Sequence, residues 1–296
     1  MWLLGEVRYW PLRGLYINEV LEMPNVYYTC NKCGQKKADY LGSCLACGIS
    51  PEAIRELKLG RQFVIGDIHG RFEALKQVLK KADFNYEDDL LIVLGDVADG
   101  GYNTAQVVEE LLKIKHLVYI IGNHDEWFMN HIRSGWAEEI WLQQGGCNTL
   151  TSYGAKCKEA NNVSEESKID TRGLNIPVTH QDFFNRGVYY FVLDNMLFVH
   201  GGINPKIPKL ESQSRQDLLW DRHLIQYAKE NKVQDWDKVF VGHTTTQHIN
   251  GMLLPVRYNN LWALDTGAGW NGKLTIMNID TEKFWQSELQ KPAIDR

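Results

Sequence analysis

Residues 63–70 read FVIGDIHG, a short aliphatic run followed directly by glycine, aspartate and histidine. Branched apolar runs that end at a glycine are typical of buried strands. The pattern recurs where LLIVL (90–94) precedes GDVADG (95–100), and again where LVYII (117–121) precedes GNHD (122–125). The sequence therefore predicts three strands, each of which ends in side chains that can hold a metal ion.

Two amphipathic patterns separate these strands. Apolar residues recur at helical spacing at Phe72, Leu75, Val78 and Leu79, and again at Val107, Val108, Leu111 and Leu112. Alternating strands and helices predict an α/β fold with a parallel sheet, and ligands bind beyond the carboxyl ends of such strands. We therefore expect five side chains to converge at one edge of the sheet: Asp67, His69, Asp96, Asn123 and His124.

Two later segments predict further strands with a histidine at the end. Residues 188–199 alternate around Asp194-Asn195, a hairpin turn signal, and the second arm leads to His200. The run KVFV (238–241) then leads to Gly242 and His243. Glycine beside each histidine allows the backbone to approach an ion closely.

This set of motifs resembles the phosphoprotein phosphatase branch of the calcineurin-like metallophosphoesterases, of bacterial or phage type. The resemblance spans residues 60–285 and includes DTGA (265–268), GKLT (272–275) and LLWDR (218–222). It implies a β-sandwich flanked by helices in an α-β-β-α order.

The resemblance also implies roles for the residues at the motif positions. One divalent metal ion would take Asp67, His69 and Asp96, and a second would share Asp96 and add Asn123, His200 and His243. Manganese is the expected metal, with iron or zinc as alternatives. Two such ions clamp a phosphate and lower the pKa of a bridging water, so that hydroxide attacks phosphorus in line. His124 would be the general acid for the leaving oxygen, and Asp99 would hold its ring.

Two positions depart from the family pattern. Gly100 and Ile121 stand where many members carry an arginine that binds the substrate phosphate. Arg222, in its Trp-Asp-Arg context, is the first candidate for a phosphate-binding replacement. Arg257 and Arg71 are the others.

The N-terminal part carries an independent motif. Two Cys-x-x-Cys pairs, Cys30/Cys33 and Cys44/Cys47, have the spacing of a zinc ribbon with four thiolate ligands to one structural Zn²⁺. Two disulfides or a redox pair are the alternatives. The other two cysteines, Cys147 and Cys157, are expected to be free thiols in a reducing compartment.

These motifs divide the chain into an extension (1–25), the zinc ribbon (26–50) and a catalytic domain (55–290). The extension lacks the pattern of a signal peptide, and no run of eighteen apolar residues predicts a membrane span. The net charge of −5 argues against bulk electrostatic binding to nucleic acid or anionic membranes. A cytoplasmic protein is expected, and the sequence does not indicate its oligomeric state.

Residues 127–186 are unusually rich in tryptophan, glutamine, asparagine and charged residues. Trp127, Trp136 and Trp141 are expected to anchor helices beside the third motif. Residues 159–171 are polar enough for an exposed loop or the end of a helix. Either the segment shapes access to the metal edge or it is a packing cap.

The sequence thus predicts a metal-dependent phosphomonoester hydrolase. Thr245 stands where many diesterases of the wider family have another histidine, which favours the phosphatase branch. The leading substrate is phosphoserine or phosphothreonine in proteins. Nucleotides, dinucleoside polyphosphates or RNA ends are the alternative substrates, and a non-catalytic scaffold is the alternative from another class.

Overall fold

The computed structural model describes residues 59–158 and 167–291, together with the backbone of Tyr28–Thr29 and Lys36–Lys37. These two short segments, β1 and β2, pair antiparallel. The predicted zinc ligands Cys30, Cys33, Cys44 and Cys47 lie outside the described residues, so the zinc ribbon stays a prediction.

The remaining strands are Gln62–Ile65 (β3), Leu90–Val93 (β4), His116–Tyr119 (β5), Lys156–Lys158 (β6), Lys168–Asp170 (β7), Tyr190–Leu193 (β8), Met196–Val199 (β9), Lys238–Val241 (β10), Val256–Tyr258 (β11), Leu261–Ala263 (β12), Thr275–Asn278 (β13) and Phe284–Gln286 (β14). The described α-helices are Phe72–Lys81 (α1), Thr104–Leu111 (α2), Asn123–Ser134 (α3), Glu139–Trp141 (α4), Cys147–Ser152 (α5), Val178–Asn185 (α6), Arg215–Trp220 (α7), His223–Glu230 (α8) and Thr246–Asn250 (α9). A π-helical turn (Leu142–Gly146) joins α4 to α5, and Leu210–Ser212 is a 3₁₀ turn.

The first sheet has the strand order β14-β13-β3-β4-β5. Strands β3, β4 and β5 are parallel and are connected through α1 and α2, as the alternating pattern predicts. Their carboxyl ends therefore meet at one edge, because each strand–helix–strand connection returns the chain to the same starting side.

The second sheet has the order β11-β12-β10-β9-β8. Its strands β9, β10 and β12 are parallel, whereas β8 and β9 form the predicted antiparallel hairpin. Asp194 and Asn195, the two turn residues, both have positive φ, of 46° and 60°. This is the conformation of a type I′ turn, which suits the twist of a two-residue hairpin.

Three buried clusters hold the layers together in the expected α-β-β-α order. Between the sheets lies an apolar layer that includes Val64, Ile92, Phe198 and Phe240, and the last two rings stack with centroids 4.9 Å apart. Helices α1 and α2 cover the outer face of the first sheet, and α8 covers the second. Within the described part of the chain, no helix combines the length and apolarity needed to cross a bilayer.

The segment from residue 127 to 186 departs from the sequence-based expectations at three points. Trp136 is not a packing anchor, since 72% of its surface is exposed, whereas Trp141 is buried. Residues 168–170 form β7, which pairs with β6, instead of continuing a loop. The prediction of free thiols is wrong: Cys147 and Cys157 form a disulfide, because a short turn after α5 brings their Cα atoms to 5.1 Å.

Candidate metal centre and acid pair

The predicted site residues come together where strands of both sheets end. Asp67 and His69 follow β3, Asp96 follows β4, and Asn123 begins α3 after β5. The second sheet contributes His200 after β9 and His243 after β10. All six side chains are at least nine-tenths buried, so the site is an internal cluster at the junction of the two sheets.

Two groups of potential metal ligands share one carboxylate. Ligand atoms of His69, Asp96 and His124 all lie within 4.8 Å of one another, as do those of Asp96, His200 and His243. Asn123 adjoins the second group, since its Oδ1 is 3.0 Å from His200 Nε2. Asp67 adjoins His243, whose backbone N–H donates to Asp67 Oδ2 at 3.0 Å. Asp96 is therefore placed to bridge two ions.

The unused polar atoms of this cluster fit a pair of divalent cations. His69 Nδ1 donates to Ala98 O at 3.0 Å and His200 Nδ1 to Leu94 O at 2.7 Å, because a carbonyl can only accept. Each ring therefore presents Nε2 to the site, which is the usual way a second contact orients a ligating imidazole. Asp67 Oδ1 and His243 Nε2 are buried without a hydrogen-bond partner among the described residues. Such atoms are costly unless an ion takes them.

The backbone at this cluster is held in an uncommon conformation. His69, Asp96, Asp99 and His243 all have positive φ, between 47° and 70°. Non-glycine residues rarely adopt this region, and it concentrates at functional sites whose surroundings enforce it. Gly122 has a different reason to be glycine: a Cβ there would lie 2.0 Å from Asp96 Oδ1. Position 122 can therefore pass this close to the shared carboxylate only as glycine, and the next turn of the same motif contacts it through the backbone N–H of His124, which donates to Asp96 Oδ1 at 3.0 Å.

Burial and neighbouring charge set the protonation of two of the candidate ligands, Asp96 and His69. Burial alone would raise the pKa of Asp96, but His200, His124 and His69 outweigh it and hold that pKa below its ordinary value. Burial lowers the pKa of His69 to about 4. Asp96 is thus ionised and His69 neutral near pH 7, the states in which both can bind a cation.

His124 and Asp99 form a separate hydrogen-bonded pair beside the ligands. His124 Nδ1 donates to Asp99 Oδ2 at 2.7 Å, so the ring directs Nε2 away from the carboxylate. Although burial opposes it, the charges of Asp96 and Asp99 raise the pKa of His124. An imidazolium held in this way can give a proton to a leaving group. By distance His124 could also bind a metal with His69 and Asp96.

The three candidate arginines differ in the partners that they bind. Arg222 Nη1 donates to Thr244 Oγ1 at 3.1 Å, beside His243. Burial, then His200 and then the charge of Arg222 lower the pKa of His243. Arg71 instead donates to the backbone carbonyls of residues 268 and 269. Arg257 pairs with Glu282 at the surface. Arg222 and Arg71 thus both lie next to a predicted ligand, but the guanidinium of Arg71 is bound to backbone that packs on His69, whereas the charge of Arg222 acts on His243 itself.

Positions 100 and 121, where many family members carry an arginine, have close surroundings in this chain. Gly100 has φ of +70°, and a Cβ there would lie 3.0 Å from the Cβ of His69 and 3.2 Å from the backbone of Gly269. Ile121 is buried in the helix-covered core, and its N–H donates to Val188 O. A side chain at position 100 would thus be strained, and the side chain at position 121 belongs to the apolar core.

Sequence reasoning missed two buried carboxylates. Asp125 accepts hydrogen bonds from the N–H groups of Val97, Ala98 and Gly122, which ties the second motif to the third. Its place three residues after Gly122, the N-cap of α3, is the signal that could have revealed it. The second is Asp265. Burial is the larger cause of the raised pKa of Asp67, and the nearby charge of Asp265 raises it further.

The chain is similar to a known protein family and to several characterised enzymes. The calcineurin-like phosphoesterase family model matches residues 61–267. The chain is 23% identical to a symmetrical bis(5'-nucleosyl)-tetraphosphatase of Buchnera aphidicola subsp. Schizaphis graminum, over 77% of this chain and 98% of that protein. It is 24% identical to serine/threonine-protein phosphatase 1 of Salmonella typhimurium, over 73% of this chain and 91% of that one.

The crystal structure of a candidate diadenosine tetraphosphatase has the same fold, with a TM-score of 0.54. It is 16% identical in sequence, and the match covers 78% of this chain and 94% of that one. The family match extends over most of the catalytic region and includes all six predicted ligands. The chain is therefore a hydrolase and belongs to the calcineurin-like phosphoesterase family.

Proposed function

We propose that this chain is a two-metal phosphomonoester hydrolase whose first substrate class is phosphoserine or phosphothreonine in proteins. The observation that carries the proposal is the arrangement around Asp96. This carboxylate belongs to both ligand groups, and the His124–Asp99 pair lies directly beside it. A shared carboxylate suits two ions, and an adjacent imidazole suits protonation of a leaving oxygen.

One ion would be held by Asp67, His69 and Asp96, and the other by Asp96, Asn123, His200 and His243. Two bound divalent ions would neutralise the phosphate and supply a nucleophilic water at neutral pH. Arg222, beside His243, would contact the phosphate oxygens. We expect manganese, with iron or zinc as alternatives.

The protein's own part in the reaction is proton transfer to the leaving group. As the oxygen of water bonds to phosphorus, the bond between phosphorus and the leaving oxygen breaks. His124 Nε2 gives its proton to that oxygen, and the products are phosphate and an alcohol. Asp99 keeps the hydrogen on Nδ1 and stabilises the charged ring, since it is fully buried and 2.7 Å away.

Hydrolysis of dinucleoside polyphosphates is the second candidate function. It is favoured by the tetraphosphatase relative, whose identity and coverage are much the same as those of the protein phosphatase. Both reactions transfer a phosphoryl group to water and use the same kind of centre. The walls of the substrate site decide between them.

The test is to remove metals with a chelator, restore Mn²⁺, and compare p-nitrophenyl phosphate with bis-p-nitrophenyl phosphate. We expect a strong preference for the monoester. Asp96→Asn is the matched inactive variant, because it keeps the size of the side chain and removes the shared charge. Preference for the diester would contradict the phosphatase assignment, and absence of turnover would favour a scaffold.

A second step separates the two substrate classes. A phosphoserine peptide and diadenosine tetraphosphate are offered together, and each is measured as a competitor of the other. Protein phosphatase activity predicts that the peptide is hydrolysed with the larger kcat/KM. The reverse ranking would assign the nucleotide substrate.

A further inference from the structure

The carboxylate of Asp99 receives more hydrogen bonds than the acid pair alone requires. Besides His124, the indole Nε1–H of Trp141 donates to Asp99 Oδ2 at 2.9 Å, and the hydroxyl of Thr149 donates to Asp99 Oδ1 at 2.8 Å. Asp99 and Trp141 are 42 residues apart in the sequence, and Asp99 and Thr149 are 50 apart. Every one of these partners is a donor, so both carboxylate oxygens are fixed in direction.

The hydroxyl of Thr149 is itself oriented. Its oxygen accepts the backbone N–H of Asp99 at 2.8 Å, and Thr104 Oγ1 lies 3.3 Å away. Because the carboxylate can only accept, the single hydroxyl hydrogen of Thr149 goes to Asp99 Oδ1, and Thr104 Oγ1 is left to donate to Thr149. Thr149 therefore forms hydrogen bonds with both the backbone and the side chain of Asp99.

The segment that carries these donors packs closely on the turn that carries Asp99. Asn148 Nδ2 donates to Gly100 O at 2.7 Å. Gly145, in the π-helical turn, has φ of +101°, and a Cβ there would lie 2.5 Å from the backbone nitrogen of Gly100. The disulfide of Cys147 with Cys157 ties the first residue of α5 to β6. Trp141 and Thr149 thus belong to a segment held in place by several contacts, which precise positioning of Asp99 requires.

We propose that Trp141 and Thr149 are positioning residues of the proposed reaction, which set the Asp99 carboxylate so that His124 Nε2 points at the leaving oxygen. The inference rests on the proposed function. It gives the segment α4–α5 a role in catalysis although neither side chain touches the substrate. A misaligned imidazole would remain bound to Asp99 but would protonate the leaving oxygen poorly.

This role has a signature that a loss of folding or of metal would not produce. Phenyl phosphate and p-nitrophenyl phosphate have nearly the same shape, but the nitro group makes the second phenolate a far better leaving group. Unsubstituted phenol resembles the tyrosine side chain, with a pKa of about 10, and leaves readily only when protonated. Poor proton transfer therefore lowers the rate of phenyl phosphate hydrolysis and has little effect on that of p-nitrophenyl phosphate.

The experiment measures kcat and KM for both substrates with the Mn²⁺-loaded protein and its variants. Thr149→Val removes the hydroxyl at constant shape, and Trp141→Phe removes the N–H donor. We expect kcat for phenyl phosphate to fall roughly 10–100-fold, the effect of losing a hydrogen bond to a charged group. KM and p-nitrophenyl phosphate turnover should change little, and Thr149→Ser should restore the rate.

Trp262→Phe is the matched control, because the buried Nε1 of Trp262 has no partner among the described residues. It should leave the ratio of the two rates unchanged. Equal losses on both substrates, or no loss in Thr149→Val and Trp141→Phe, would overturn the inference while leaving the proposed function intact. If the unsubstituted protein hydrolyses neither monoester, the proposed function fails, and this inference fails with it.

Discussion

Replacing Asp125 by asparagine tests whether the missed carboxylate holds two motif loops together. Oδ1 accepts the N–H groups of Val97 and Ala98 at 2.9 and 3.0 Å, and Oδ2 accepts that of Gly122 at 3.0 Å. Asparagine has the same shape but only one acceptor oxygen. If this oxygen keeps the first two bonds, the amide NH₂ faces the N–H of Gly122, so that two donors oppose each other in a buried site.

The size of the effect follows from this count of bonds. A hydrogen bond to a charged group contributes about 1.5–3 kcal/mol, and a buried donor left without an acceptor costs about 1–3 kcal/mol. Because the lost bond and the unpaired donor describe the same change, the two figures are not added, and we expect a net destabilisation of about 1.5–3 kcal/mol. At roughly 2–4 °C per kcal/mol for a domain of this size, Tm should fall by about 3–12 °C.

The assay is urea-induced unfolding of the metal-free protein, since bound ions would add their own stabilisation. Asp170→Asn is the control, because Asp170 lies near the surface and its charged partner is the exposed Arg172. Its unfolding midpoint should stay close to that of the unsubstituted protein. A loss below about 0.5 kcal/mol for Asp125→Asn, the scale of ordinary surface substitutions, would refute the reasoning.

Three further changes test the assigned roles. His124→Asn should lower kcat by ~10²–10⁴-fold while manganese content, measured by elemental analysis, stays constant; loss of one metal ion would instead identify His124 as a ligand. Arg222→Ala should raise KM for p-nitrophenyl phosphate more than it lowers kcat, because Arg222 lies beside His243; unchanged steady-state kinetics would return Arg222 to a packing role. Cys30→Ser should reduce the zinc content of the protein without affecting manganese-dependent turnover, and undiminished zinc would contradict the ribbon.

The sequence was sufficient to predict the elements whose signals are local. The aliphatic runs before Asp67, Asp96 and Asn123 predicted β3, β4 and β5, and the turn signal at Asp194-Asn195 predicted the hairpin of the second sheet. Parallel strand order then implied the convergence of the ligands. These inferences succeeded because periodicity and turn chemistry act within a few residues.

The contacts around Asp99 had no comparable signal. Trp141 and Thr149 belong to short helices joined by an irregular π-helical turn, so the segment lacks the regular period that predicts a buried face. The disulfide of Cys147 depends on β6 returning beside α5, which sequence spacing alone does not indicate. Trp136 shows the converse: the type of residue predicted burial, whereas Trp136 lies exposed in the loop between α3 and α4.

The candidate metal site lies between the two sheets, so its geometry depends on how the sheets are aligned. Asp96 comes from the first sheet and His243 from the second, so their spacing depends on the apolar layer between the sheets. Gly95 lies so close to the His200 ring that a Cβ would be 2.7 Å from Nδ1. A substitution that repacks Phe240, in the layer between the sheets, and shifts one sheet against the other would therefore separate the candidate ligands of the first sheet from those of the second. We therefore expect core substitutions that shift the sheets to weaken metal binding even when the strands remain folded.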